Sequence, residues 1–297
     1  MGGDYYNSDT RFVRAKSAGF YTKPASEIFT QSKERKIHDS MNPKGVIIRE
    51  SRDSIIHPNT VPIFFDLDVT GSMGHIPHDL VQDGLPKLMS KLIQKGVPDA
   101  AVMFGAVGDH ECDSWPLQIG QFESGDEQLD MWLTRTYLEG GGGGNAGESY
   151  LLAYYFAAFH TVTDAWEKRK RKGYLITVGD EPPLMNLPLS AVKEIMGESA
   201  VGQGNYTIHD LLKAVQEKWN VFHINVIHGH RDASATWVQL LGDNCINVTD
   251  YRTIPDVVAD LVLNNEGVFE TAYEGHPDDK TGDSTASGGV DSSTIML

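Results

Sequence analysis

Cysteine is scarce in this chain: Cys112 and Cys245 are the only two in 297 residues. Two thiols so far apart make neither a disulfide framework nor a zinc cage, so both read as buried thiols. Long apolar runs are missing too, and none approaches the ~20 residues of a membrane-crossing helix, which removes the membrane as a partner. Basic residues are outnumbered, 25 against 41 acidic ones, for a net charge of −16. Binding to a phosphate backbone needs clustered Lys and Arg, so nucleic acid is not an expected partner. The one dense basic run, Lys168-Arg169-Lys170-Arg171-Lys172, falls at a helix end before a strand, where cations suit the negative helix terminus. The start, Met1-Gly2-Gly3-Asp4, has no charged-then-apolar leader, and Asn7-Ser8 matches a myristoylation signal only loosely. A cytoplasmic location is the expectation.

What is present is an alternation of apolar strands and amphipathic helices, in a chain 40% hydrophobic. Val61-Pro62-Ile63-Phe64-Phe65 reads as a strand buried on both faces, and Ala100-Ala101-Val102-Met103-Phe104 as a second. Between them Leu80, Val81, Leu85, Leu88, Met89, Leu92 and Ile93 recur at helical spacing, predicting one helix over 76–94 that stops at Gly96. Residues 117–122 alternate, as a half-exposed antiparallel edge strand does. Further strands are expected at 174–180, 221–227 and 246–248, with helices between them and a closing helix near 253–263. The expected architecture is α/β: a doubly wound, mostly parallel, six-stranded sheet over 60–266. Residues 1–59 lack periodicity, apart from a possible edge strand at 45–49, and read as an extended N-terminal arm. Residues 267–297 are Asp, Ser, Thr and Gly with few apolar side chains, so they read as a disordered tail.

Three loops carry the chemistry, two at strand ends and one between helices. The first, Asp68-Val69-Thr70-Gly71-Ser72-Met73, places a carboxylate and two hydroxyls at alternate positions. Such hard oxygens suit Mg²⁺, which keeps part of its water. The second runs from five consecutive glycines, Gly140 to Gly144, through Asn145, Ala146, Gly147, Glu148 and Ser149 into a helix. So many glycines cost backbone entropy unless close approach or positive φ is required. The third, at 177–183, ends a strand on Asp180 and Glu181 before two prolines. Open α/β sheets bind ligands at the carboxyl ends of their strands, so all three loops can face one ion. His75 and His78 sit on the turn after the first loop, and His228 and His230 follow a strand without a clear third ligand. All four read as loop residues.

The first loop resembles the Asp-x-Ser/Thr-x-Ser motif of von Willebrand factor A domains, which opens their metal-ion-dependent adhesion site. The glycine loop and the strand ending at Asp180 fall where that family's other two metal loops fall, and the longer pattern is similar to a bacterial and viral subgroup. The resemblance implies Mg²⁺ or Mn²⁺ held by Thr70 and Ser72 directly, and by Asp68 and Asp180 directly or through water. Where the family often has a second-loop threonine, this chain has Gly144 and Asn145. Asn145, a water or Glu148 can fill the position. Gly71, Met73, Gly144, Glu148 and Glu181 would border a bound partner. That partner would be a protein giving an Asp or Glu to the metal; by resemblance it is an AAA+ ATPase or a component of a multiprotein assembly. Asp66-Leu67-Asp68-Val69-Thr70 also resembles the first motif of haloacid-dehalogenase-like phosphatases, with Asp66 as nucleophile and Asp68 as general acid. That alternative leaves Ser72, Met73 and the glycine run without a task, so a binding module rather than an enzyme is expected.

Overall fold

The computed structural model describes residues 4–139, 147–202, 204–228 and 232–268. Ten strands occur among them: β1 (Arg49–Ser51), β2 (Val61–Asp68), β3 (Ala100–Val107), β4 (Leu117–Ile119), β5 (Thr161–Thr163), β6 (Gly173–Gly179), β7 (Asn186–Leu187), β8 (Tyr206–Thr207), β9 (Trp219–Val226) and β10 (Cys245–Val248). Six form the central sheet in the order β10-β9-β6-β2-β3-β4. All pairings in it are parallel except β3 with β4. Helices cover both faces, as the apolar pattern requires of strands with no wet side. No helix among the described residues is long and apolar enough to cross a membrane.

Alternation along β2 divides the core in two. Ile63, Phe65 and Leu67 pack with Leu85, Leu88, Val258 and Val262 of helices Leu85–Gln94 and Ile254–Asn265. Phe64 packs on the opposite face with helix Leu151–Phe159 and with Leu211. By the two-residue period, Asp66 and Asp68 share Phe64's side of the sheet. Hydrophobic burial on both faces therefore holds the carboxyl end of β2 between β3 and β6, where the first loop begins.

Local chemistry explains where elements depart from the expected pattern. The single helix over 76–94 is instead Ile76–Asp79, a π-turn over Leu80–Gly84, and Leu85–Gln94. Pro86 has no N–H for the carbonyl four residues back, and the wider turn accommodates that gap. Residues 117–122 are not half-exposed: β4 is buried throughout, because Gln118 exchanges hydrogen bonds of 2.8 Å with the Tyr137 backbone. The short strand expected at 45–49 lies at Arg49–Ser51 and pairs with β5 in a separate two-stranded sheet. The N-terminal segment is not simply extended, since helix Ser8–Ala18 runs from an Asn7 cap to a left-handed Gly19. Arg11, 1% exposed, anchors it to Asp130 at 2.8 Å and to the Val81 carbonyl at 2.6 Å.

The basic run is spent on the protein itself. Lys168 pairs with Asp164 at 2.7 Å, Arg169 with Asp53 at 2.7 Å, and Arg171 with Glu266. The expectation of two buried thiols does not hold, because Cys112 is exposed on the loop after β3 and Cys245 is half-buried.

Candidate metal centre

The first and third loops meet because β2 and β6 are neighbours, with Leu67 opposite Val178. Asp68, fully buried, ends β2. Its Oδ1 accepts hydrogen bonds from the Thr70 backbone N–H at 2.8 Å and the Thr70 hydroxyl at 2.7 Å. This short turn points the Thr70 oxygen toward the carboxylate and leads into the turn Gly71–Met73. Tyr150 donates its phenol proton to Asp68 Oδ2 across 3.3 Å. The phenol lies directly over Gly179: a Cβ there would come within 1.7 Å of the Tyr150 oxygen. Glycine at the end of β6 is thus required for Tyr150 to reach Asp68.

The second loop is stitched to the third through its backbone. Glu148 N–H donates to the Pro182 carbonyl at 2.9 Å, and Leu184 N–H donates to the Glu148 carbonyl at 2.9 Å. On its other side Ser149 N–H donates to Gly108 at 3.1 Å, and the Ser149 hydroxyl accepts from His110 N–H at 2.8 Å. Backbone bonds of this kind fix Glu148 between β3, β2 and β6 without using its side chain.

The electrostatics of these loops are one-sided. Burial, offset by Thr70 and reinforced by the charge of Asp180, pushes the Asp68 carboxyl up to about 7. Glu148 rises to about 9, through burial first and then through Asp68, Asp113, Asp109 and Glu181, all acidic. Its Oε2 has no hydrogen-bond partner among the described residues, although Glu148 is only 6% exposed. Asp180 is 2% exposed. Several carboxyls are held near one another out of water, an arrangement that costs free energy unless they are protonated or a cation joins them. Among the described residues no three His, Cys, Asp or Glu side chains form a ready-made cage. The donor set among the described residues is instead mixed, carboxylates with the Thr70 hydroxyl, which fits a hard divalent ion that retains water.

Not every expected residue stands in this group. Asp68, Thr70, Glu148 and Asp180 do; Gly71 is exposed beside them, and Glu181 is half-exposed at the rim. Gly144 and Asn145 lie outside the described residues, as does the side chain of Ser72. Met73 does not border a partner: at 2% exposure it packs in the core with Ile76 and Leu80. Glu148 likewise faces inward to Asp68 rather than outward. Asp66 is sealed, with no exposure and neither oxygen hydrogen-bonded among the described residues. Gly105 makes room for it, since a Cβ there would lie 2.5 Å from Asp66 Oδ1. A nucleophile must reach its phosphate, and this carboxyl is closed off.

Three residues went unread in the sequence. Asp109 and Asp113 act on Glu148, and Tyr150 orients Asp68. The signal for Asp109 was present, because Gly108-Asp109 follows an apolar strand just as Gly179-Asp180 does.

No protein-family model matches this sequence, and no curated protein matches it. Solved structures similar to it include the pilus adhesin SpaC from Lactobacillus rhamnosus GG in an open conformation, at 10% identity and a TM-score of 0.44. That match covers 74% of this chain and 31% of SpaC. Proximal thread matrix protein 1 from the mussel byssus matches at 11% identity and a TM-score of 0.47, over 68% of this chain and 48% of that one. A second structure of the mussel protein, with a zinc-occupied MIDAS motif, matches at 11% and 0.45, over 73% and 49%. The chain spans about a third to a half of the length of these structures. Likeness at this level transfers neither ligand nor partner.

Proposed function

We propose that this chain is a divalent-cation-dependent protein-binding module of the von Willebrand factor A kind. One observation carries the reading: Asp68 and Asp180 at neighbouring strand ends and Glu148 before helix Leu151–Phe159 are all buried, and the leading charges acting on Asp68 and Glu148 are acidic. Asp68, Thr70, Ser72 and Asp180 would hold Mg²⁺ or Mn²⁺, and Glu148, close to Asp68, would complete the second loop. When bound, the ion supplies an open coordination position for the carboxylate of a partner's Asp or Glu. Exposed Gly71 and the Glu181 rim border that position. An AAA+ ATPase or a component of a larger assembly, met in the cytoplasm, is the partner this reading favours. The sealed position of Asp66 offers no support for a phosphatase.

Two measurements test the proposal together. Mg²⁺ or Mn²⁺ raises the melting temperature of the native chain and leaves Asp68→Ala unmoved. Partner capture is lost in chelator and in Ser72→Ala; capture that survives both assigns recognition to another surface.

A further inference from the structure

Tyr150, His223 and Trp237 form a closed aromatic cluster behind the metal loops, each with at most 1% exposure. His223 stacks on Trp237 with centroids 3.6 Å apart and planes 13° from parallel. Tyr150 meets both edge-on, at 5.1 Å from His223 and 5.2 Å from Trp237. The three come from different elements: the residue preceding helix Leu151–Phe159, strand β9, and helix Ser234–Leu241. Burial holds the His223 imidazole neutral, and its Nδ1 lies 2.8 Å from the Thr177 hydroxyl on β6.

Besides the His223 contact with Thr177, two polar atoms leave this block, and both end on a metal loop. The Tyr150 phenol donates to Asp68 Oδ2 of the first loop. The Trp237 indole N–H donates to the Glu181 carbonyl of the third loop at 3.1 Å, one residue beyond Asp180. Tyr150 itself lies two residues beyond Glu148, so the second loop feeds the same block. Aromatic pairs of this geometry add to the burial energy and fix ring planes, which makes each donor's direction depend on the other ring.

We propose that Tyr150 and Trp237, locked together through His223, are positioning residues that hold the first and third loops at the separation a cation needs. Resting on the metal reading above, the proposal adds helix Ser234–Leu241 to the site as a fourth supporting element. Outer partners of this type commonly govern about 10–100-fold in metal affinity. Trp237 also becomes a reporter, because a loop that tightens on its N–H changes the surroundings of its indole.

Mg²⁺ is titrated into the full chain and followed by calorimetry and tryptophan emission. Tyr150→Phe and Trp237→Phe keep a ring in place and remove one donor each, while Trp166→Phe, in helix Asp164–Arg169 ahead of β6, is the control. Expected are a Mg²⁺-dependent emission change in the native chain and the control, its disappearance in Trp237→Phe, and affinity about tenfold weaker in both donor variants. Melting in the absence of Mg²⁺ confirms that the variants fold; should Trp237→Phe fail, Tyr150→Phe carries the affinity comparison. Native-like affinity in both donor variants overturns the clamp and leaves the metal site standing. Absence of Mg²⁺ binding in the native chain overturns the metal site and the clamp with it.

Discussion

The crowded carboxyls make the response to Mg²⁺ depend on pH in a direction fixed by the structure. Asp68 is raised to about 7 and Glu148 to about 9 in the folded chain, chiefly by burial. Unfolded, both titrate near ~4. Between those values the native state retains protons that the unfolded chain has released. The stability linked to protonated Asp68 is therefore complete below about pH 4 and lost as pH climbs through about 7. Metal binds the ionised form, so Mg²⁺ restores stability only where protons have been given up. At a concentration ~100-fold above its dissociation constant the ion contributes about 3 kcal/mol, or roughly 5–10 °C in melting temperature for a chain of this size. The assay is thermal unfolding by circular dichroism, with and without Mg²⁺ at matched ionic strength. The expected shift is near zero at about pH 5 and reaches that full value only above about pH 9, once Glu148 has ionised as well as Asp68. Equal shifts at the two pH values, or a larger one in acid, would refute the placement of the ion among these carboxyls.

Other consequences can be checked separately. Gly179→Ala forces the Tyr150 phenol off Asp68, so it should cost about 1–3 kcal/mol in urea unfolding and weaken calorimetric Mg²⁺ binding by about the tenfold expected of Tyr150→Phe. Asp66→Asn replaces a carboxyl that burial holds well above its usual range with a neutral group of the same shape. Its stability should match the native chain at about pH 4 and exceed it at about pH 8, and loss of stability throughout would reveal an ionised Asp66 with a partner. Arg11→Met removes one of two arginines on buried Asp130; because Arg14 remains at 2.8 Å, the expected loss is near the lower end of the range, about 3 kcal/mol, read by denaturant titration.

The sheet was legible because its signal is local. Eight buried residues in β2 and eight in β3 leave no other reading for such runs, and the helices between them carry a three-and-four spacing. The neighbouring ends of β2 and β6 followed from the parallel order, and with them the meeting of Asp68 and Asp180. What stayed hidden depends on contacts across the chain. Arg11 is charged and looks like a surface residue; Asp130, 119 positions away, and the Val81 carbonyl make its burial tolerable. Gln118 overturned the expected half-exposure of β4 in the same way, through the backbone of Tyr137. Tyr150 shows the limit most clearly. In sequence it is one more aromatic at the head of an apolar helix, indistinguishable from Tyr154 and Tyr155, which are equally buried. Its role is set by the absence of a side chain at Gly179, on another element, which leaves room for the hydroxyl to reach Asp68. A ligand can be read from its own residue type, but the residue that aims it is defined by a space, and spaces are made only when the chain has folded.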